Sequence, residues 1–123
     1  MNIFLVEDSQ PVRERLAAML GGIPGATLVG EAAHADAAIR QILASRPDVV
    51  LLDLGLADGS SGFDVLRAVR PQAPGIDFYM LSNFAADPYR QLAERLGACD
   101  FFDKSRELER VRELIAQRAA AKQ

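Results

Sequence analysis

The sequence is poor in the residues that build covalent or soft-metal frameworks. Cys99 is its only cysteine and His34 its only histidine. An internal disulfide is excluded and a reducing compartment is compatible. A lone histidine has no evident metal partners, so His34 reads as a surface residue where a helix starts. Cys99 reads as a small core residue. Also lacking is a charged start followed by an apolar run, and no segment approaches the length that spans a bilayer. No membrane association is expected, and the default expectation is a cytoplasmic protein. The formal net charge is −3 and no Lys/Arg cluster forms a stripe, so direct nucleic-acid binding is not expected. There is no Gly/Ser linker, no low-complexity tract and no repeat at solenoid period. What remains is expected to be one domain over residues 1–123, long enough to bury a continuous core.

What the chain does have is a regular alternation. Ile3-Phe4-Leu5-Val6 is a short unbroken apolar run, as expected of a strand buried on both faces. Ser9 offers an N-cap and Pro11 fits a first helical turn. Val12, Leu16, Met19 and Leu20 then recur at helical spacing until Gly21, Gly22, Pro24 and Gly25 stop them. Thr27 to Gly30 reads as a second strand. Ala35 to Ala44 reads as a second helix, with Ile39, Ile42 and Leu43 inward. Val49-Val50-Leu51-Leu52 is the clearest buried strand and ends at Asp53. A glycine-rich loop from Gly55 to Gly62 follows. Ser61 with Asp64 resembles a capping box in front of a third helix lined by Phe63, Leu66 and Val69. Ile76 to Leu81 is a fourth strand ending at Ser82. Asp87-Pro88 opens a fourth helix, with Leu92 and Leu96 inward and Gly97 as its stop. Phe101-Phe102 is a short fifth strand, and Leu108, Val111, Leu114 and Ile115 define a last helix. Its arginines (Arg106, Arg110, Arg112, Arg118) alternate with Glu107, Glu109 and Glu113, as on a solvated face. Five repeats of strand then helix predict an α/β fold with a parallel sheet covered on both sides.

Placed on this scheme, the polar residues converge. Glu7 and Asp8 end the first strand, Asp53 the third, Ser82 the fourth and Lys104 the fifth. A parallel topology brings all five to the carboxyl edge of the sheet, where open α/β sheets bind ligands. Three carboxylates together repel, and a hard cation such as Mg2+ removes the conflict. A cation beside a carboxylate suits phosphoryl transfer, which is mainly positioning and charge neutralisation. Asp53 is suited to act as nucleophile, Lys104 to neutralise a phosphoryl oxygen, and Ser82 to donate a hydrogen bond to another.

These residues carry a resemblance to the receiver domain of response regulators. It runs through nearly the whole chain: LVEDS at 5–9, VVLLDLGL at 49–56, SGFDVLR at 61–67, the Ser82-Asn83 corner, and LGACDFFDKS at 96–105. The resemblance implies a flavodoxin-like doubly wound sheet of five parallel strands, order 2-1-3-4-5, with five flanking helices. It implies Asp53 as phosphoacceptor. Asp8 and Asp53 would hold Mg2+ (or Mn2+) directly, with Glu7 helping through water and the Gly55 backbone carbonyl as a further ligand. Ser82 and Lys104 would bind the phosphoryl group, and Phe101 occupies the aromatic switch position. The implied donor is a sensor histidine kinase or a histidine phosphotransfer protein, with small donors such as acetyl phosphate also serving. The implied output is a changed surface of helix four, strand five and helix five. It would be read by an unknown downstream protein or by a second copy of the chain, as in a homodimer. The chain would not be a turnover enzyme, although it would promote its own phosphorylation and dephosphorylation.

Four positions depart from the family pattern. Ala57 and Ser105 stand where proline is common, and Asn83 where Ala or Gly is common. Without proline after Lys104 a cis peptide would cost about 2.5–4 kcal/mol, so a trans bond is expected there. Gly55 has no side chain to guide or obstruct an attacking water, so the phosphorylated lifetime is not expected to be set at that position. Tyr89 and Phe84 are expected to lie exposed near the fourth helix. Two other functions fit less well. An aspartyl-phosphate phosphohydrolase wants a second acid where Gly55 stands, and a substrate-capping insertion is lacking. A flavin-binding domain wants a hydroxyl- and glycine-rich phosphate loop where Glu7-Asp8-Ser9-Gln10-Pro11 is acidic. Taken as complete, the chain is expected to be a stand-alone receiver; as part of a longer protein it would suit a transcription factor.

Overall fold

A computed structural model describes residues 1–83 and 87–122. Each apolar run becomes a strand and each periodic stretch a helix. The order is β1 (Asn2–Val6), α1 (Gln10–Gly21), β2 (Thr27–Ala32), α2 (Ala35–Ser45), β3 (Val49–Asp53), a 3-10 turn (Ala57–Gly59), α3 (Gly62–Val69), β4 (Asp77–Ser82), α4 (Asp87–Arg95), β5 (Asp100–Asp103) and α5 (Leu108–Lys122). All neighbouring strands are parallel, in the order β2-β1-β3-β4-β5. This is the flavodoxin-like arrangement expected from the sequence. No described helix is long and apolar enough to cross a membrane.

Successive strand residues point to opposite faces, and the core divides accordingly. Phe4, Val6, Val50, Leu52, Phe78, Met80 and Phe101 pack against α2, α3 and α4 through Ala38, Ile42, Leu66, Val69 and Ala93. Ile3, Leu5, Val49, Leu51, Tyr79, Leu81 and Phe102 pack against α1 and α5 through Leu16, Leu20, Val111, Ile115 and Ala119. Two covered faces explain why β1 and β3 read as unbroken apolar runs rather than alternating ones.

The helix starts follow the local chemistry. The Ser9 hydroxyl accepts from the Val12 N–H at 3.5 Å, with Pro11 in the first turn. Ser61 accepts from the Phe63 N–H at 3.1 Å while Asp64 accepts from the Ser61 N–H at 3.0 Å, completing a capping box. Ser61→Ala is expected to cost about 1 kcal/mol, or about 4 °C in a thermal melt; an unchanged midpoint would remove the cap from the account of α3. His34 is the exposed N-cap residue of α2.

Several expectations need correction. β2 runs two residues past Gly30, because Ala32 pairs with Val6 and its carbonyl accepts from the Glu7 N–H at 3.0 Å. In α4 the fully buried contact is Ala93; Leu92 and Leu96 are half-buried against the same cluster. Cys99 is exposed rather than a core residue. It sits in the turn between Gly97, whose φ is 98°, and β5. Arg118 leaves the solvated face of α5 to bind β4, with Asp77 at 2.7 Å and the Tyr79 hydroxyl at 2.7 Å. Arg110 and Arg112 do pair with Glu107 and Glu109 on the exposed face. Tyr89 is exposed as expected, and Phe84 lies outside the described residues.

Candidate functional site

The carboxyl edge of the sheet gathers every side chain assigned to it. β1 ends by delivering Glu7 and Asp8, and β3 ends at Asp53. In register, Asp53 lies beside Leu81 and Ser82 beside Asp103, so the ends of β4 and β5 lie level with that edge. The Lys104 N–H donates to the Ser82 carbonyl at 2.9 Å, tying the two strand ends together. Among the described residues, Glu7, Asp53 and Ser82 are the buried polar ones at 0%, 5% and 2% exposure, whereas Asp8 is exposed. Charged groups are rarely so buried unless partnered.

The partner is Lys104. Its ammonium donates to Glu7 Oε1 at 2.7 Å and to Asp53 Oδ2 at 3.0 Å. The other Glu7 oxygen accepts from the Ser9 N–H at 3.0 Å. Burial alone would raise the Glu7 carboxyl, but the Lys104 ammonium and the Ser9 N–H outweigh it and hold it below its ordinary value. Asp53 moves the other way. Burial and the neighbouring Glu7 charge push it up to about 7, against the pull of Lys104. Burial and Glu7 also raise Asp8. Lys104 rises despite burial because two carboxylates hold its proton. One ammonium thus serves two buried acids, and Asp53 is the one whose proton is held up to about pH 7.

Each of Glu7, Asp8 and Asp53 offers a carboxylate oxygen within 4.8 Å of those of the other two. Oxygen-only donors with surplus negative charge fit a hard divalent cation, and the single lysine does not neutralise the trio. The Lys104–Ser105 peptide is trans, as expected. Gly55 is exposed two residues beyond Asp53 and is bridged to Ser61 across the loop. Asn83 is exposed beside Ser82.

Phe101 is buried on the α4 face of the sheet, opposite Met80 in register. Ser82 lies two residues beyond Met80 on β4, hence on that same face. The Arg90 guanidinium lies 5.2 Å from the Phe101 ring centroid, donates to the Phe101 carbonyl at 2.9 Å, and stands 3.5 Å from Glu107. One arginine therefore links α4, β5 and the residue preceding α5.

Two residues that shape the site escaped the sequence reading as such. Gly62 opens α3 directly against the acid strand: a Cβ there would lie 2.2 Å from the Asp53 carbonyl oxygen. Arg13 reaches back from α1 to the carbonyls of Glu7 and Asp8. Nothing in spacing flags Arg13, and Gly62 looked like ordinary loop glycine.

Comparison with known proteins places this geometry. The family model described as response regulator receiver domain matches residues 3–116. Among curated proteins, the chain is 34% identical over 87 residues to the DNA-binding transcriptional activator DevR/DosR of Mycobacterium tuberculosis, covering 71% of this chain and 40% of that protein. It is 32% identical over 124 residues to a protein-glutamate methylesterase/protein-glutamine glutaminase of Alkalilimnicola ehrlichii, covering 95% and 31% respectively. The chain thus spans less than half the length of these relatives. Among solved structures, it is similar to a two-component response regulator of the LuxR family from an Aurantimonas species, with a TM-score of 0.88, 28% identity, and coverage of 98% of this chain and 85% of that one.

Proposed function

The chain belongs to the family of response regulator receiver domains of two-component systems, and on that premise we propose that it is a signalling switch thrown by phosphorylation of Asp53. The observation that carries this reading is the sharing of one lysine by two buried carboxylates, Glu7 at 2.7 Å and Asp53 at 3.0 Å. An acid held this way is sheltered from water beside a cation that can serve an incoming anion.

The donor is the phosphohistidine of a sensor histidine kinase or histidine phosphotransfer protein. An Asp53 carboxylate oxygen attacks phosphorus, the P–N bond breaks, and its electron pair returns to the imidazole, which is protonated. Glu7 keeps Lys104 oriented while the ammonium turns from Asp53 to a phosphoryl oxygen. The Ser82 hydroxyl donates to another. Asp8, Asp53 and the Gly55 carbonyl would hold Mg2+ (or Mn2+), with Glu7 helping through water. When bound, the ion supplies charge neutralisation at the phosphoryl oxygens.

Ser82 and Phe101 share a face of the sheet, which supports them as the switch pair: movement of the hydroxyl toward the phosphate changes the packing of Phe101. Arg90 links Phe101 to α4 and to Glu107 before α5. The surface of α4, β5 and α5 is then what a downstream protein, or a second copy of the chain, reads. The chain acts in the cytoplasm as a switch and not as a turnover enzyme.

The test is intact mass after incubation with acetyl phosphate and Mg2+. The natural protein gains one phosphoryl group, and the gain disappears without Mg2+ or in Asp53→Asn. An adduct that persists in Asp53→Asn would place the acceptor elsewhere. No adduct from either acetyl phosphate or a phosphorylated histidine phosphotransfer protein would remove the reading.

A further inference from the structure

Arg13 leaves the first turn of α1 and folds back over the β1–α1 junction. Its Nη1 donates to the Glu7 carbonyl at 2.9 Å and, more weakly, to the Asp8 carbonyl at 3.3 Å. Its Nε stands 3.9 Å from Glu31 Oε1 on β2. Nearby, the Glu7 N–H donates to Ala32 and the Ser9 N–H to the Glu7 carboxylate, each at 3.0 Å. Peptide units are planar, so fixing two successive carbonyls fixes the two peptide planes that flank the Cα from which Asp8 departs. This matters most for Asp8. Glu7 and Asp53 are wedged in the core, but Asp8 is the exposed member of the trio and takes its place from the backbone that carries it.

We infer that Arg13 is a positioning residue for the divalent-cation site, setting the Glu7–Asp8 backbone so that the Asp8 carboxylate converges on those of Glu7 and Asp53. It touches neither the ion nor the group transferred. The inference rests on the reading of the acid trio as a cation site given above. Its content is the paired hydrogen bond to two carbonyls, rather than the positive charge alone. Both bonds leave the same Nη1, whose place is set by a rigid planar group with its Nε toward Glu31; lysine keeps the charge but carries it on a flexible stem without that second anchor.

The experiment is a calorimetric titration of Mg2+ at fixed pH and ionic strength into the natural protein, Arg13→Gln, Arg13→Lys and the ligand control Asp8→Asn. Circular-dichroism melts in chelator accompany each, to show that the variants are folded. The expected result is loss of measurable binding in Asp8→Asn and about tenfold weaker binding in Arg13→Gln, the scale of an outer-shell deletion. Arg13→Lys recovers no more than about threefold of that loss, because the charge returns on a flexible stem without the rigid guanidinium plane. Natural affinity in folded Arg13→Gln, with binding lost in Asp8→Asn, overturns this inference alone. Full recovery in Arg13→Lys also overturns it, since charge would then suffice. No Mg2+ binding by the natural protein overturns the cation-site reading, and this inference with it.

Discussion

In chelator, the stability of Asp53→Asn relative to the natural protein rises by about 2–3 kcal/mol between pH 5 and pH 8. That is a widening of about 8 °C between the two thermal midpoints. The cause is the carboxyl of Asp53, pushed up to about 7 first by burial and then by the charge of Glu7. In the unfolded chain the same group titrates near the ordinary aspartate value of about 3.9. Between those values the native state binds a proton that the unfolded state has released, so stability falls as pH rises, until both states are ionised above the folded value. Asparagine resembles the neutral acid in shape and never ionises, so the variant escapes this loss. Glu7 and Lys104 remain in both proteins, so their own titrations largely cancel in the comparison. Equal pH dependence in the two proteins would mean that Asp53 carries no displaced proton. Saturating Mg2+ at pH 8 provides a second arm: it stabilises the natural protein by mass action and leaves Asp53→Asn nearly where it was.

The resting acid site costs stability. Asp53 is buried, crowded by another acid, and short of counter-charge because Lys104 is shared. Each feature that raises its ionisation cost also gives a bound cation something to relieve. The lysine is kept beside Asp53 by Glu7, which is fully buried and tied to Ser9. Under the function proposed above, Lys104 then need not be recruited from solvent when a phosphoryl group arrives.

Much of this is legible in the amino-acid sequence. The runs at Ile3–Val6 and Val49–Leu52 have no polar face, which demands a sheet covered on both sides, and the two core clusters supply the covers. Ser9, Pro11, Ser61 and Asp64 signal helix starts through local bonding that the structure makes. The convergence of Glu7, Asp8, Asp53, Ser82 and Lys104 follows from parallel topology, although no spacing between them encodes it. Other features lie outside the reach of periodicity. Arg13 bonds to backbone carbonyls, which are the same for any sequence and leave no complementary residue to recognise. Ala93 joins the expected Leu92 and Leu96 on the inward side of α4 as its fully buried residue, and a single alanine gives periodicity little to register. Cys99 is apolar by composition but sits in a turn whose backbone, set by Gly97, places it outside.

Gly62→Ala is expected to destabilise the protein by about 3 kcal/mol or more, lowering its midpoint by about 12 °C. Helix propensity alone argues the reverse, since alanine is favoured over glycine by about 1 kcal/mol within a helix. Packing decides. The added Cβ would meet the Asp53 carbonyl oxygen at 2.2 Å, with the Asp53 carbonyl carbon and Leu52 Cγ both at 3.1 Å. These atoms belong to β3, the middle strand of the sheet, and cannot swing aside as the tip of a flexible side chain can. Gly62 itself is held by its N–H, which donates to the Leu54 carbonyl at 2.8 Å. The strain must move either the start of α3 or the end of β3, and the end of β3 is Asp53. Loss of stability should therefore come with weaker Mg2+ binding in the fraction that stays folded. Gly21→Ala is the contrast: a Cβ at that helix position has nothing within 4 Å, so propensity acts unopposed and stability rises by up to about 1 kcal/mol. If both substitutions shifted the midpoint alike, the close approach of α3 to Asp53 would not be what requires glycine at position 62.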